Sequence, residues 1–406
     1  MMGDWQISSL EEVVKFIDYR GRTPQKTEDG MRLITAKNVK IGYLQNEPME
    51  FVDPKIYDEW MTRGIPKKGD VLFTTEAPLG NVAQLDTDEK VVFAQRIIVM
   101  QPKREVLDST FLKYMLLSNL MQKKIHEKGT GATVKGIKSQ LLKKVQISFP
   151  RAVSEQKRIV AILDEAFEGI DRAIANTEKN LANSRELFES YLNAIFTQKG
   201  DGWLEKKLGD VCTFQGGSQP PKAVFSTQKK DGYIRLIQIR DYKSNNYTVY
   251  IPKKDARRFC QPDDVMIGRY GPPLFQILRG LEGAYNVALM KAIPNEGIIL
   301  KDFLFYFLQN RKILNYIINS SSRTAGQTGL NKATIEPYPI VFPTLEQQAF
   351  VVSQLQEIKA ETQRLEAIYC RKITALNELK QSILQKASTG ELTADTLKTA
   401  KEGIAA

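Results

Sequence analysis

Two long stretches of the chain place apolar residues at alternating intervals of four and three. The first runs Leu163, Phe167, Ile170, Ile174, Thr177, Leu181, Ser184, Phe188, Tyr191 and Ile195. The second runs Leu355, Ile358, Thr362, Leu365, Tyr369, Lys372, Leu376, Leu379 and Ile383. A seam kept over four heptads or more, with Glu and Lys on its flanks, predicts a coiled-coil helix in each stretch. At about 40 residues each, the helices would be roughly 60 Å long. Two seams of equal length most simply pack on each other; the alternative is that each binds a separate partner. Thr177, Ser184, Thr362 and Lys372 would weaken the dry core but fix the register. Ser154 with Glu155, and Thr344 with Glu346, supply helix-start residues.

Elsewhere the pattern is one of short β-type runs, such as Val71-Leu72-Phe73, Val91-Val92-Phe93 and Ile97-Ile98-Val99. One or two helices follow in each half, near residues 110–127 and 302–319. This is an α+β pattern and not an alternating βαβ series. It divides the chain into a globular domain at 1–150, a long helix at 151–200, a second globular domain at 201–343, a second long helix at 344–390, and a tail at 391–406.

The two halves are copies. Trp5, Leu10, Val13 and Phe16 recur as Trp203, Leu208, Val211 and Phe214 with identical spacing. Arg32-Leu33-Ile34 is answered by Arg235-Leu236-Ile237, each reading as a strand start after a glycine turn. Gly69-Asp70-Val71-Leu72-Phe73 is answered by Asp263-Asp264-Val265-Met266-Ile267, and Phe111-Leu112-Lys113-Tyr114 by Phe303-Leu304-Phe305-Tyr306. Phe149-Pro150 followed by Glu155-Gln156 is matched by Phe342-Pro343 followed by Glu346-Gln347. The offset drifts only between 191 and 203, so the correspondence is collinear. A period near 200 is too long for a solenoid and means a duplicated domain. The shared positions are apolar or turn residues. Between them the halves diverge, as Ala36-Lys37-Asn38 against Gln238-Ile239-Arg240, or Thr74-Thr75-Glu76 against Gly268-Arg269-Tyr270. One scaffold with two surfaces implies two ligands, or two sequences within one ligand.

Composition narrows the ligand. The 406 residues carry 58 Lys and Arg against 47 Asp and Glu, a formal charge of +11. That favours a polyanionic partner such as nucleic acid, against the blander reading of a solvated basic surface. Three scattered cysteines and the single His126 exclude the common zinc spacings and a disulfide framework. The N-terminus lacks a signal pattern and no apolar run approaches the ~20 residues of a membrane span. A cytoplasmic protein with no membrane partner is expected.

Base edges are read by Arg, Lys, Asn and Gln on loops beside strands. The candidates are Lys37, Asn38, Gln95 and Arg96, with Thr75, in the first half, and Gln238, Arg240, Arg269, Tyr270 and Gln327 in the second. Glycine-rich loops at 129–136 and 322–329 bring Thr130, Thr133, Lys135 and Thr324, whose backbone amides and hydroxyls suit phosphate oxygens. The alternative is that each loop is only a turn into the last strand. Catalytic fragments fail on context. Gly271-Pro272-Pro273-Leu274-Phe275 lacks the polar first residue of an amino-methyltransferase motif, and Gly129-x-Gly131 follows a helix instead of a strand. No P-loop is present and Pro262-Asp263 lacks a nuclease partner motif. No catalytic residue, metal site or cofactor is assigned to the chain.

The ordered motifs resemble the specificity subunits of type I restriction–modification systems over nearly the whole chain. They are Trp5 with Leu10; Gly21-Arg22-Thr23-Pro24; Leu33 through Val39; Gly129-x-Gly131 through Gly136-Ile137; and Phe149-Pro150 to Glu155-Gln156. The second half adds Gly326-Gln327-Thr328-Gly329-Leu330-Asn331, Phe342-Pro343 to Glu346-Gln347, and Ala387 through Leu392. Gly217-Ser218-Gln219-Pro220 departs from the usual Gly-x-Thr-Pro. The resemblance implies antiparallel helices, pseudo-two-fold symmetry, and two target-recognition domains each reading half of a split, asymmetric site on double-stranded DNA. It also implies two modification subunits that bind S-adenosylmethionine and methylate adenine, and motor-nuclease subunits for cleavage. A type IIB-like specificity subunit and a tandem protein-binding scaffold are the competing readings.

Overall fold

The computed structural model describes residues 4–19, 23–131, 133–198, 200, 202–322 and 329–392. The chain divides into two compact units, one from 1–178 with 371–406 and the other from 179–370. Each long helix therefore gives one half to each unit.

In the first unit, the opening strand Trp5–Ser9 pairs antiparallel with the closing strand Gln146–Pro150, so the domain begins and ends at one place. An antiparallel sheet follows in the order Val14–Asp18, Ile97–Pro102, Val71–Thr74, Val82–Gln84. A second sheet is ordered Lys26–Thr27, Glu50–Val52, Met31–Ile34, Val92–Phe93, with the last pair parallel. The run Val71-Leu72-Phe73 reads as continuously apolar because both faces of its strand are covered. Val71 and Phe73 enter one core with Phe111 and Leu112, while Leu72 enters the other with Leu33 and Phe93. Strand alternation thus feeds two cores. Asp108 starts the covering helix Ser109–Leu117 by accepting from the Thr110 and Phe111 amides, each at 2.9 Å.

The second unit repeats this plan. Leu204–Lys207 pairs with Pro339–Phe342; one sheet is ordered Cys212–Gly216, Leu289–Pro294, Val265–Gly268, Gln276–Leu278. In its second sheet, Tyr233–Ile237 lies between Tyr250–Pro252 and Gly283–Tyr285. The outer strand differs. Phe259–Cys260 joins the Gly283–Tyr285 edge here, whereas in the first unit Lys26–Thr27 adds to the opposite edge.

The duplication extends to single hydrogen bonds. Arg32 donates to Asn46 at 2.9 Å and Arg235 to Asn245 at 3.0 Å. Gln156 and Gln348, both fully buried, each accept one backbone amide and donate to two carbonyls. The counterpart of Gln156 is therefore Gln348 and not Gln347, whose side chain faces Thr344 at the helix start.

The long helices run Val153–Thr197 and Leu345–Thr389, 45 residues each, or roughly 68 Å. Within each unit their halves are antiparallel. In the second unit Tyr191 meets Gln354 while Arg185 meets Glu366, so one number rises as the other falls. In the first, Leu163, Phe167 and Ile170 are buried with Leu384 and Ala387, and Ile174, Leu376 and Ile383 are half-buried beside them. Leu355 is buried; Leu181, Phe188, Ile358, Leu365 and Tyr369 are half-buried. Thr177, Ser184 and Thr362 are buried as the heptads place them, and Thr177 and Ser184 return their hydroxyls to the preceding turn.

The second seam is corrected at two positions. Lys372 is exposed and Leu379 is 48% exposed; Ile373 and Lys380 take the inward places. A four-residue step from Tyr369 brings the apolar Ile373 inward. Lys380 then holds its ammonium 4.8 Å from the Phe167 ring centroid and 2.7 Å from Asp171.

Candidate nucleic-acid interface

Four separate segments of the first unit converge on Gln95-Arg96. On one side, Thr75, Glu76, Thr130, Val134, Gly136 and Lys138 line a groove of about 290 Å³. On the other, Thr35, Lys37, Lys26 and Ala77 line one of about 230 Å³. The backbone locks the segments together. Thr75 donates its amide to the Arg96 carbonyl at 2.9 Å, and Ile137 donates to the Thr75 carbonyl at 2.9 Å. Thr130 and Gly136 exchange amide bonds, which folds the 129–136 loop into a tight hairpin facing Glu76. Lys37, Gln95, Arg96, Thr130, Thr133 and Lys135 are all exposed. Cationic and amide side chains on a rigid strand-supported rim are suited to base edges, and the hairpin hydroxyls and Lys135 to phosphates.

Two candidates in this unit are corrected. Asn38 is 1% exposed. Its Oδ1 accepts from the Thr35 amide at 2.9 Å, and its Nδ2 faces the carbonyls of Gln45, Asn46 and Pro48 at 3.0–3.3 Å. Its amide is consumed in holding the turn that presents Lys37. Thr75 is also buried, with its hydroxyl on the Arg96 carbonyl at 3.3 Å, so it shapes the rim without reaching a ligand.

The second unit uses the same frame with other side chains. Arg269 donates its amide to Ala288 at 2.9 Å and Leu330 donates to Arg269 at 3.0 Å, the bonds that Thr75, Arg96 and Ile137 make in the first unit. Position by position, Thr75, Glu76, Gln95 and Arg96 become Arg269, Tyr270, Val287 and Ala288. The half-buried Arg269 is partly spent on structure: its guanidinium donates to the Leu330 and Val287 carbonyls and stacks 5.4 Å from the Tyr270 ring centroid. Tyr270 is 43% exposed and Val287 38%. Asp241 takes the place of Asn38, accepting from the Gln238 amide at 2.9 Å, and Arg240 takes that of Lys37. Arg240 is exposed and lies 5.4 Å from the Tyr247 ring. Gln238 is half-buried beside it. Thr324 and Gln327 lie outside the described residues.

Burial pushes the Asp241 carboxyl above its usual range, against the lowering effect of the Gln238 amide, Arg235 and Arg240. Asp70, buried just before the Val71–Thr74 strand of the first unit, is raised by burial too, despite the Gln101 hydrogen bond. Glu76, Lys138, Val287 and Tyr247 join the two surfaces without having been singled out by residue type. Glu76 and Tyr270 do carry a signal in the sequence, because unlike side chains face each other across matched framework positions.

The family model for the type I restriction modification DNA specificity domain matches this chain twice, at residues 2–182 and 200–398. The chain belongs to this family. It is a DNA-specificity subunit of a type I restriction–modification system. It is 21% identical to the type I restriction enzyme StySPI specificity subunit of Salmonella potsdam, over 96% of this chain and 88% of that one. It is 22% identical to the EcoKI specificity subunit of Escherichia coli strain K12, over 96% and 89%. In fold it is similar to a solved chain from work on complex assembly and conformational transition of the type I R-M system. That match has TM-score 0.76 at 18% identity, over 95% of this chain and 97% of the other. The crystal structure of the HsdS subunit from Thermoanaerobacter tengcongensis gives TM-score 0.57 at 20% identity, over 96% and 97%. Among the described residues, no helix is long and apolar enough to cross a membrane.

Proposed function

We propose that each globular unit reads one half of a bipartite, asymmetric target on double-stranded DNA, and that the long helices set the unread spacer. The specificity subunit is not itself an enzyme. It brings two modification subunits, which carry S-adenosylmethionine, to an adenine in each half-site, and motor-nuclease subunits to unmodified DNA, in the cytoplasm. The target adenine leaves the stack for methylation, so the contacts beside it also hold a distorted duplex. The observation that supports this reading is one hydrogen-bonded frame carrying Glu76, Gln95 and Arg96 in one unit and Tyr270, Val287 and Ala288 in the other. Equal frames with unlike side chains are what two unlike half-sites require.

The test is a methylome of cells expressing the chain with its methyltransferase, before and after residues 5–150 are exchanged for those of another family member. One half of the methylated motif should change and the other stay. A change in both halves would show that the units do not read independently.

A further inference from the structure

Only three non-glycine residues among those described have positive φ: Ala77 at 48°, Arg96 at 77° and Phe275 at 62°. Two of the three meet at a single ion pair, Arg96 Nε to Glu76 Oε1 at 2.8 Å: Arg96 is one partner and Ala77 follows the other. Left-handed backbone at residues that carry a Cβ is costly, and it persists where the surroundings enforce it. Here they do: the Arg96 carbonyl takes both the amide and the hydroxyl of Thr75, and Glu76 is bridged to Gly136 of the hairpin. The pair is nonetheless open, with side chains 46% and 44% exposed into the groove. A surface pair of that exposure adds little stability, so its geometry asks for another explanation.

We propose that Glu76 is a positioning residue that aims Arg96 at one guanine of the half-site read by the first unit. The inference rests on the groove facing DNA, as proposed above. A carboxylate is repelled at the phosphate backbone, so a groove that keeps one in its lining is suited to base edges. With Nε held by Glu76, the two Nη groups form the outward end of a fixed fork, matched to guanine O6 and N7. The second unit has Tyr270 and Ala288 at these places and lacks the device, so the guanine belongs to one half-site only.

The experiment uses the full chain in its complete methyltransferase complex. Methylation rates are measured on duplexes carrying every single base-pair change in the recognised motif. Wild type should reject replacement of one G·C pair by about ten- to a hundred-fold. Arg96→Ala, Arg96→Lys and Glu76→Ala should each lose that discrimination at the same pair, with the other half-site still read. Glu76→Gln should keep most of it, because its amide oxygen still accepts from Nε. The intact reading of the other half-site and an unchanged unfolding curve separate lost positioning from misfolding. Discrimination retained in Glu76→Ala but lost in Arg96→Ala would overturn the positioning role and leave the groove reading intact. Discrimination retained in both Arg96 variants would overturn the groove reading itself.

Discussion

Gln156 and Gln348 make the same three hydrogen bonds in the two copies of the fold. Gln156 accepts from the Asp108 amide at 2.7 Å and donates to the Val106 and Pro150 carbonyls at 2.9 and 2.8 Å. Gln348 accepts from Leu300 at 2.8 Å and donates to Ile298 and Pro343 at 3.0 and 2.9 Å. Each amide ties the root of a long helix to the loop that starts the helix covering the sheet. Removing it leaves one buried donor and two buried acceptors unpaired. Gln156→Ala and Gln348→Ala should therefore each cost about 3 kcal/mol, read as an earlier transition in urea. Loss of less than about 1 kcal/mol would mean that water repairs the site.

The duplication and the two seams were legible in the sequence because they rest on spacing, which survives divergence. The sheets were half legible: Val71-Leu72-Phe73 announces a buried strand, but nothing local says that its alternate residues feed two cores. Lys372 and Leu379 were misplaced because a heptad step of three or four is equally allowed, and only packing against Phe167 favours Lys380. At the site, residue type could not separate Lys37 from Asn38. One faces solvent and the other spends its amide on tying the 35–38 turn to the carbonyls of Gln45, Asn46 and Pro48.

Asp241 offers a pH-dependent test of that turn. Its carboxyl is raised chiefly by burial, and among the described residues its Oδ1 has no hydrogen-bond partner. A carboxyl raised in the folded state supports folding while it is protonated, and that support is lost as pH rises through its folded value. Asp241→Asn, which copies Asn38 of the first unit, keeps an acceptor for the Gln238 amide and removes the buried charge. The variant should be more stable than wild type near neutral pH. The gain should vanish as pH falls below the ordinary carboxylate range. A gain that grows toward acid would show that Arg235 and Arg240 outweigh burial.

Gly136 and Gly329 fill equivalent places, one residue before Ile137 and Leu330, where the backbone approaches Glu76 and Tyr270. A Cβ on Gly136 would lie 3.2 Å from Glu76 Cβ, and one on Gly329 only 2.4 Å from the Tyr270 ring. The ring is the end of an exposed side chain, so it can swing aside while the frame stays. Gly329→Ala should cost less than about 1 kcal/mol of stability yet alter base preference at one position of the second unit's half-site. An unchanged motif would remove Tyr270 from the reading surface.

The helices as a spacer ruler give the most direct geometric test. Arg185 faces Glu366, so in the antiparallel register a site just after Leu181 lies close to Tyr369 on the other helix. Seven residues added after Leu181 together with seven added after Tyr369 keep both seams in phase, whereas an insertion in one helix alone would leave its heptad unmatched. Each added heptad lengthens a helix by about 10.5 Å, or roughly three base pairs at 3.4 Å per pair along the duplex. The methylated motif of the double-insertion variant should keep both half-sites and gain about three unread positions between them. Half-sites altered in sequence would mean that the inserted turns disturb the reading surfaces. A spacer of unchanged length would show that the duplex does not follow the helices, and that something other than their length fixes the gap.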